Sequence, residues 1–282
     1  MNKFLSNIIS IIIPVYNEEK YIKEILLRIN QVKNINKDIV LVDDGSTDNT
    51  KNIILNHCNG LYNQKIFLDQ NYGKGYALRK GFEIAKGSIF LIQDADLEYD
   101  PKDYKKLLGP IIEDNKIVVY GSRVLKGGIR KRPNTIDSYF RVLSNHFLTY
   151  FSNLMNEQKL SDAHTCYKVF RSEILNKITL KENGFNFCPE FTAKVSKLGI
   201  KIFEVPIDYN GRTHEEGKKI SFLDGFRAIY AIIKYNFFWL ELIYLIGCGA
   251  WIWTKDLQVM SLTSYQTAPP RDFLEFYTKN NI

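Results

Sequence analysis

Gln93-Asp94-Ala95-Asp96-Leu97-Glu98 carries three carboxylates at alternate positions. On extended backbone Asp94 and Asp96 project to the same side. Two converging carboxylates make a hard-oxygen site suited to Mg²⁺ or Mn²⁺. Such an ion keeps part of its shell for phosphate oxygens and would neutralise charge building on a departing nucleoside diphosphate. A second acidic cluster, Asp43-Asp44-Gly45-Ser46, offers a carboxylate to a base N–H or to ribose hydroxyls, with glycine for a sharp turn. Asp44 is assigned to the nucleotide and Asp43 to the structure of the turn.

The glycine-rich run Asn71-Tyr72-Gly73-Lys74-Gly75-Tyr76-Ala77 does not read as a dinucleotide site. Leu78 stands where a third glycine belongs, and no acidic ribose partner follows at the usual distance. Its helix entry can still hold an anion, and Lys74 adds charge. Arg123, Lys126, Arg130, Lys131 and Arg132 gather in ten positions with no acid among them. Two glycines inside that run suggest a mobile loop. Arg212, Lys218 and Lys219 form a second basic group. No helix-turn-helix, zinc finger or aromatic base platform accompanies them, so nucleic acid is not the expected partner. Phosphate recognition at one site beside a lipid surface fits better. His57, His146, His164 and His214 are scattered, and no nucleophile triad stands out.

The elements that must position these groups alternate. Apolar, β-branched runs at 8–15, 38–43, 65–68, 88–93 and 117–120 read as buried strands. Helical spacing at 18–32, a short helix to residue 55 capped by Ser46 or Thr47, and helices at 75–85 and 101–108 separate them. This is an α/β chain with a mostly parallel central sheet flanked by helices. Ligands in such sheets bind at the carboxyl ends of the strands, where Tyr16–Glu18, Asp43–Ser46 and Asp94–Glu98 all fall. Further on, helices are expected at 138–155, 190–198 and 222–235, with strands at 167–170, 201–205 and 207–209. The last helix would carry Phe222, Phe226, Ile229, Ile233 and Phe237 on one face.

With 282 residues and 45% hydrophobic content, the chain can bury a large core. Thirty-eight Lys and Arg against 31 Asp and Glu give a net charge of +7, which favours an anionic partner. The four cysteines lack metal or disulfide spacing and fit a reducing compartment. No secretory signal is read at the N-terminus. Three segments are expected: a domain over 1–236, an apolar, membrane-interfacial segment over 237–253 that holds all three tryptophans, and an irregular tail over 254–282.

Taken together, Pro14-Val15-Tyr16-Asn17-Glu18, Val42-Asp43-Asp44-Gly45-Ser46, Gly73-Lys74-Gly75, Asp94-Ala95-Asp96, Gly121-Ser122-Arg123, Ser161-Asp162…Tyr167-Lys168 and Arg212…Lys218-Lys219 resemble a family 2 glycosyltransferase of the GT-A fold. Within that family they are similar to the dolichol or polyprenyl-phosphate mannosyl- and glucosyltransferase branch. The resemblance covers residues 8–235, in order. It implies that Pro14, Tyr16, Glu18 and Asp44 hold the nucleoside, with Lys74 and Asp94 also on the nucleotide-sugar. Asp94, Asp96 and Glu98 would bind the metal and diphosphate. Arg123, Arg130, Arg212 and Lys218 would steady acceptor phosphate, and Asp162, as orienter or base, would join Asp94, Asp96 and Arg123 in catalysis. Relatives often carry Gln at the position of Glu98, and the tail from about residue 249 has no counterpart in the family pattern.

The implied reaction moves a hexose, with inversion, from a GDP-mannose or UDP-glucose type donor to a polyprenyl phosphate. That acceptor is already largely dianionic at neutral pH, so it needs no general base. The enzyme would sit peripherally on the cytoplasmic face of a membrane. Two alternatives stay open: transfer to a glycan, protein or small-molecule hydroxyl, and a non-catalytic nucleotide-binding protein. Sugar, base and oligomeric state are not fixed by sequence.

Overall fold

A short helix α1 (Lys3–Ser6) leads into β1 (Ile8–Val15), where Ile9, Ile11, Ile12 and Ile13 are buried on both faces of the sheet while Ile8 is exposed. α2 (Ile22–Gln31) and β2 (Asn36–Asp43) follow, then α3 (Thr50–His57), β3 (Gln64–Phe67), α4 (Lys74–Ile84) and β4 (Ile89–Ile92). After them come α5 (Tyr104–Ile112), β5 (Val118–Ser122), β6 (Arg130–Lys131), α6 (Ile136–Asn156) and β7 (Lys168–Arg171). α7 (Phe187–Lys197), β8 (Phe203–Pro206), β9 (Tyr209–Asn210) and α8 (Phe222–Ile233) complete the order. The computed structural model describes residues 3–131, 136–212 and 222–238. The chain divides into two units, Met1–Ile232 and Ile233–Ile282. In the second, the described residues form a π-helical turn, Lys234–Phe238. The expected interfacial segment from residue 239 onward, the tail, and Lys218 lie outside the described residues.

Seven strands form one sheet in the order β3-β2-β1-β4-β7-β5-β8. All neighbours run parallel except β7, which is antiparallel to both β4 and β5. The expected mostly parallel sheet is therefore present. Ile9, Ile11 and Ile13 pack with Ile22, Ile25, Leu26 and Ile29 of α2 on one face. Ile12, Val40 and Val42 meet Ala77, Leu78 and Phe82 of α4 on the other. Each such fully buried isoleucine contributes about 1.5–3 kcal/mol. The two layers hold the strand ends rigid.

Several local expectations need correction. α2 begins at Ile22, so Glu18 and Glu19 lie in the turn before the helix and not in its first turn. α3 begins at Thr50, and Ser46 and Thr47 do not cap it: both bond to Asn17 of the loop after β1, and Ser46 also donates to Asp43 of its own turn. The basic run near residue 130 is not wholly a loop: β6 pairs in parallel with β9, and a Cβ on Gly128 would lie 2.1 Å from the Ile207 carbonyl oxygen. Close backbone packing explains that glycine. In α8, Phe226 is exposed while Ala228, Ala231 and Ile232 are buried, so the buried side of the helix does not include Phe226.

Candidate active site

Three adjacent strands, β2, β1 and β4, end side by side, with Val15 opposite Asp43 and Ile12 opposite Ile92. Their loops lock together. Asn17 sits at φ 50°, its N–H donates to Ser46 Oγ at 2.9 Å, and its Oδ1 accepts from the Thr47 N–H at 2.8 Å. The Glu18 N–H donates to Thr50 Oγ1 at 2.9 Å. The loop after Pro14 and Tyr16 is thus held by side-chain hydroxyls from the loop after β2.

Asp44 is buried, and its carboxylate accepts from the Tyr72 N–H at 2.9 Å, the Gly73 N–H at 2.8 Å and Asn71 Nδ2 at 3.0 Å. It clamps the glycine loop, and burial pushes its carboxyl up despite these donors. Asp43 accepts from Ser46 through Oδ1 alone, and its Oδ2 has no hydrogen-bond partner among the described residues. The geometry leaves Asp43, and not Asp44, with an oxygen to spare. The helix entry at Gly73 is partly used as well. The Tyr76 N–H donates to the Asn183 carbonyl at 3.0 Å, and a Cβ on Gly75 would lie 2.3 Å from the Glu182 carbonyl oxygen.

The turn after β4 is anchored from beneath by Gln93, which the motif reading passed over. Its Oε1 accepts from the Tyr104 and Tyr167 hydroxyls at 2.8 and 2.7 Å, and its Nε2 donates to the Asp94 carbonyl at 2.9 Å. Leu97, at φ 63°, kinks the chain between Asp96 and Glu98. Lys74 forms an ion pair with Asp94 and lies 3.1 Å from Cys166 Sγ. Burial alone would raise Asp94, but the Lys74 ammonium outweighs it and holds the carboxyl below its ordinary range. Asp96 is different. Burial, then Asp94 and Glu98, push it up to about 7, although Arg212 works in the opposite direction.

Arg212, far along the chain, closes the site. Its Nη2 donates to Asp96 Oδ2 at 3.0 Å and its Nη1 to Glu18 Oε2 at 3.2 Å. Glu98 turns out to hold this arginine's segment. Its Oε1 accepts from the Arg212 N–H at 2.8 Å and its Oε2 from the Tyr209 hydroxyl at 2.9 Å. Both oxygens accept from protein donors, so Glu98 anchors the Arg212 segment; Asp96 likewise accepts at both oxygens, its Oδ1 from the Glu98 N–H at 3.1 Å. Tyr209 links this group to the next, because the Arg123 guanidinium lies 5.2 Å above its ring.

Arg123 and Asp162 come together as expected, but as a closed pair. Nε donates to Oδ2 at 2.6 Å and Nη2 to Oδ1 at 2.8 Å. Asn145 of α6 adds a bond to Oδ1 at 3.1 Å. Burial works against ionisation of Asp162, yet Arg123 brings its carboxyl down to about 2. A carboxylate so stabilised is a poor proton acceptor near neutrality, which argues for an orienting role and against a base. Arg130 lies in β6, half-buried. Neither Asn145 nor Tyr209 belongs to a recognisable motif. Burial lowers the His164 imidazole to about 4.

No group of three or more His, Cys, Asp or Glu among the described residues is arranged to hold a metal ion. Asp94 and Asp96 nonetheless fit a divalent cation that takes its remaining ligands from a diphosphate. They are hard oxygen donors in one turn, and Asp96, raised first by burial and then by the neighbouring Asp94 and Glu98 charges, is a carboxylate whose charged form a cation would stabilise.

The profile of glycosyl transferase family 2 matches residues 10–179. A dolichol-phosphate mannosyltransferase of Pyrococcus furiosus is 28% identical over 232 residues, covering 81% of this chain and 64% of that protein. A UDP-N-acetylglucosamine–dolichyl-phosphate N-acetylglucosaminyltransferase of Methanococcus voltae is 29% identical over 248 residues, covering 80% of this chain and 95% of its own length. Glucosyl-3-phosphoglycerate synthase of Mycobacterium tuberculosis, solved with Mn²⁺ and UDP-glucose, superposes with a TM-score of 0.63 at 16% identity, covering 82% of this chain and 79% of that one. The shared architecture is the GT-A fold. With the family profile spanning more than half the sequence, and three acidic or polar loops assembled at neighbouring strand ends, the chain belongs to glycosyl transferase family 2.

Proposed function

We propose that this glycosyltransferase moves a hexose from a nucleotide-diphosphate sugar to a polyprenyl phosphate on the cytoplasmic side of a membrane, with inversion at the anomeric carbon. The observation that carries the reading is the junction of Asp94 and Asp96 with Lys74 and Arg212 at one strand end. Asp94 and Asp96 would hold a divalent cation, which when bound neutralises the diphosphate leaving group. Lys74 and Arg212, now paired with carboxylates, are in reach of the same charge and add to its stabilisation. Asp43, Tyr16 and the Pro14 turn border the nucleoside side. Arg123, oriented by Asp162 and Asn145, faces the acceptor phosphate with its Nη1, which has no hydrogen-bond partner among the described residues.

A phosphate acceptor suits Arg123 because its partner Asp162, held down to about 2, is a poor base near neutrality. A dianionic phosphate attacks without losing a proton, whereas an alcohol would need one removed. The relatives named for dolichyl-phosphate transfer support the same acceptor class. The test is transfer from labelled GDP-mannose, UDP-glucose and UDP-N-acetylglucosamine to short-chain polyprenyl phosphate or to the matching polyprenol. Product on the phosphate alone is expected. Product on the alcohol at equal rate would reject the acceptor assignment.

A further inference from the structure

The glycine loop that carries Lys74 is gripped from two sides. Asp44 accepts from the Tyr72 and Gly73 N–H groups on one. The opposite grip comes from residues 181–183, far along the chain. The Tyr76 N–H donates to the Asn183 carbonyl. A Cβ on Gly73 would lie 2.6 Å from that same oxygen, so the two backbones meet directly. Arg79 of α4 closes the contact. Its Nη1 donates to the Glu182 carbonyl and its Nη2 to Asn183 Oδ1 at 2.6 Å. The guanidinium also lies 5.4 Å above the Tyr76 ring, which stacks on Tyr72 of the loop.

Residues 181–183 are themselves fixed. Glu190, fully buried in the first turn of α7, accepts from the Lys181 N–H at 2.7 Å and the Glu182 N–H at 2.8 Å. Lys194, one turn further on, neutralises that carboxylate at 2.5 Å and also donates to the Thr179 carbonyl. A planar fork of donors against a backbone held in this way fixes direction as well as distance. Arg79 is half-buried, and both of these bonds run to residues 182–183 and not to the acidic turn.

We propose that Arg79 is a positioning residue for Lys74: by tying α4 to residues 182–183, it sets where the Lys74 ammonium stands beside Asp94. Lys74 opens α4, and about 7.5 Å of helix rise separates it from Arg79, so a rigid α4 carries any movement of one to the other. Lys74 is the ammonium that the proposed function sets against the diphosphate, and the assignment rests on that reading.

The test is calorimetric titration of GDP and of UDP, each with Mn²⁺, into wild type, Arg79→Met, Lys74→Met and the double variant. Arg79→Met is expected to weaken the bound nucleotide about tenfold, the scale of a lost charge-assisted hydrogen bond. In the Lys74→Met background the same change should cost nothing further, because the group it positions is gone. Asn183→Ala, a milder cut of the same fork, should lose about threefold and decides the matter should Arg79→Met fail to fold. A role in stability alone would lower the melting temperature and leave affinity intact. Wild-type affinity in folded Arg79→Met, or an equal loss in both backgrounds, would overturn the proposal. Wild-type affinity in Lys74→Met would reject the diphosphate reading of Lys74 and the proposal with it. Amide exchange of the ligand-free chains supplies a readout that needs no nucleotide. The Tyr76 amide should exchange at least about tenfold faster in Arg79→Met, and an unchanged rate would overturn the proposal. Should no chain bind either nucleotide, the functional reading falls, and the exchange rate alone decides whether Arg79 fixes the loop.

Discussion

Asp162 is fully buried and Arg123 nearly so, and their pair can be taken apart one side at a time. The carboxyl moves from the ordinary 3.8 to about 2. Linkage turns that shift of roughly two pH units into about 2.5 kcal/mol of stability. Because the folded-state value is depressed, this contribution is present above about pH 4 and is lost as pH falls toward 2. Asp162→Asn should cost more than that figure, about 3 kcal/mol, since it leaves a buried guanidinium without its counter-charge. Arg123→Met should cost a similar amount by stranding the carboxylate with only Asn145 and a backbone N–H. The double variant should then be less unstable than the sum, with a coupling of about 2 kcal/mol. Urea unfolding at neutral pH reads all four corners of the cycle. A scaffold role also predicts that Asp162→Asn raises the KM for polyprenyl phosphate more than it lowers kcat. Single variants within 1 kcal/mol of wild type, with additive effects, would refute the buried-pair reasoning. A stable Asp162→Asn enzyme with abolished kcat would restore a base.

Two further outcomes follow from the acidic turn. Asp96, raised to about 7, binds a proton in the folded protein that the unfolded chain has already released, so metal-free stability should fall as pH climbs from about 4 to 7. Asp96→Asn should flatten that slope and, in chelator at pH near 8, melt above wild type by up to about 4 kcal/mol of stability; a lower melting temperature would contradict the burial and crowding of this charge. Glu98→Gln should keep the cation requirement but raise the donor KM several-fold, because Arg212's segment loses an anionic anchor. Loss of cation dependence in that variant, read by titrating Mn²⁺ into the transfer assay, would assign Glu98 to the cation.

The scaffold was legible where burial writes directly into sequence. β1, β2 and β4 are runs of Ile, Val and Leu because both faces of a parallel sheet are covered, and the strand-end rule then located Asp43, Asp94 and Asp96. Legibility failed where partners are distant. Arg212 meets Glu18 across 194 positions and Asp96 across 116, and no local pattern encodes such a meeting. Ser46 and Thr47 were recognised as hydroxyls suited to backbone donors, but the donor lies on the Asn17 loop and not on a helix. Asp43 and Asp44 are adjacent and chemically identical, so only the path of the glycine loop decides which one is saturated.

The central claim is that Asp94 and Asp96 jointly receive a divalent cation and a nucleoside diphosphate. Calorimetric titration of GDP and UDP into the purified chain, with Mn²⁺ and with chelator, tests it most directly. Binding of one of the two only with Mn²⁺, and its loss in Asp96→Ala of unchanged fold, is the predicted result. Equal affinity in chelator, or undiminished Mn²⁺-dependent binding by Asp96→Ala, would contradict the account.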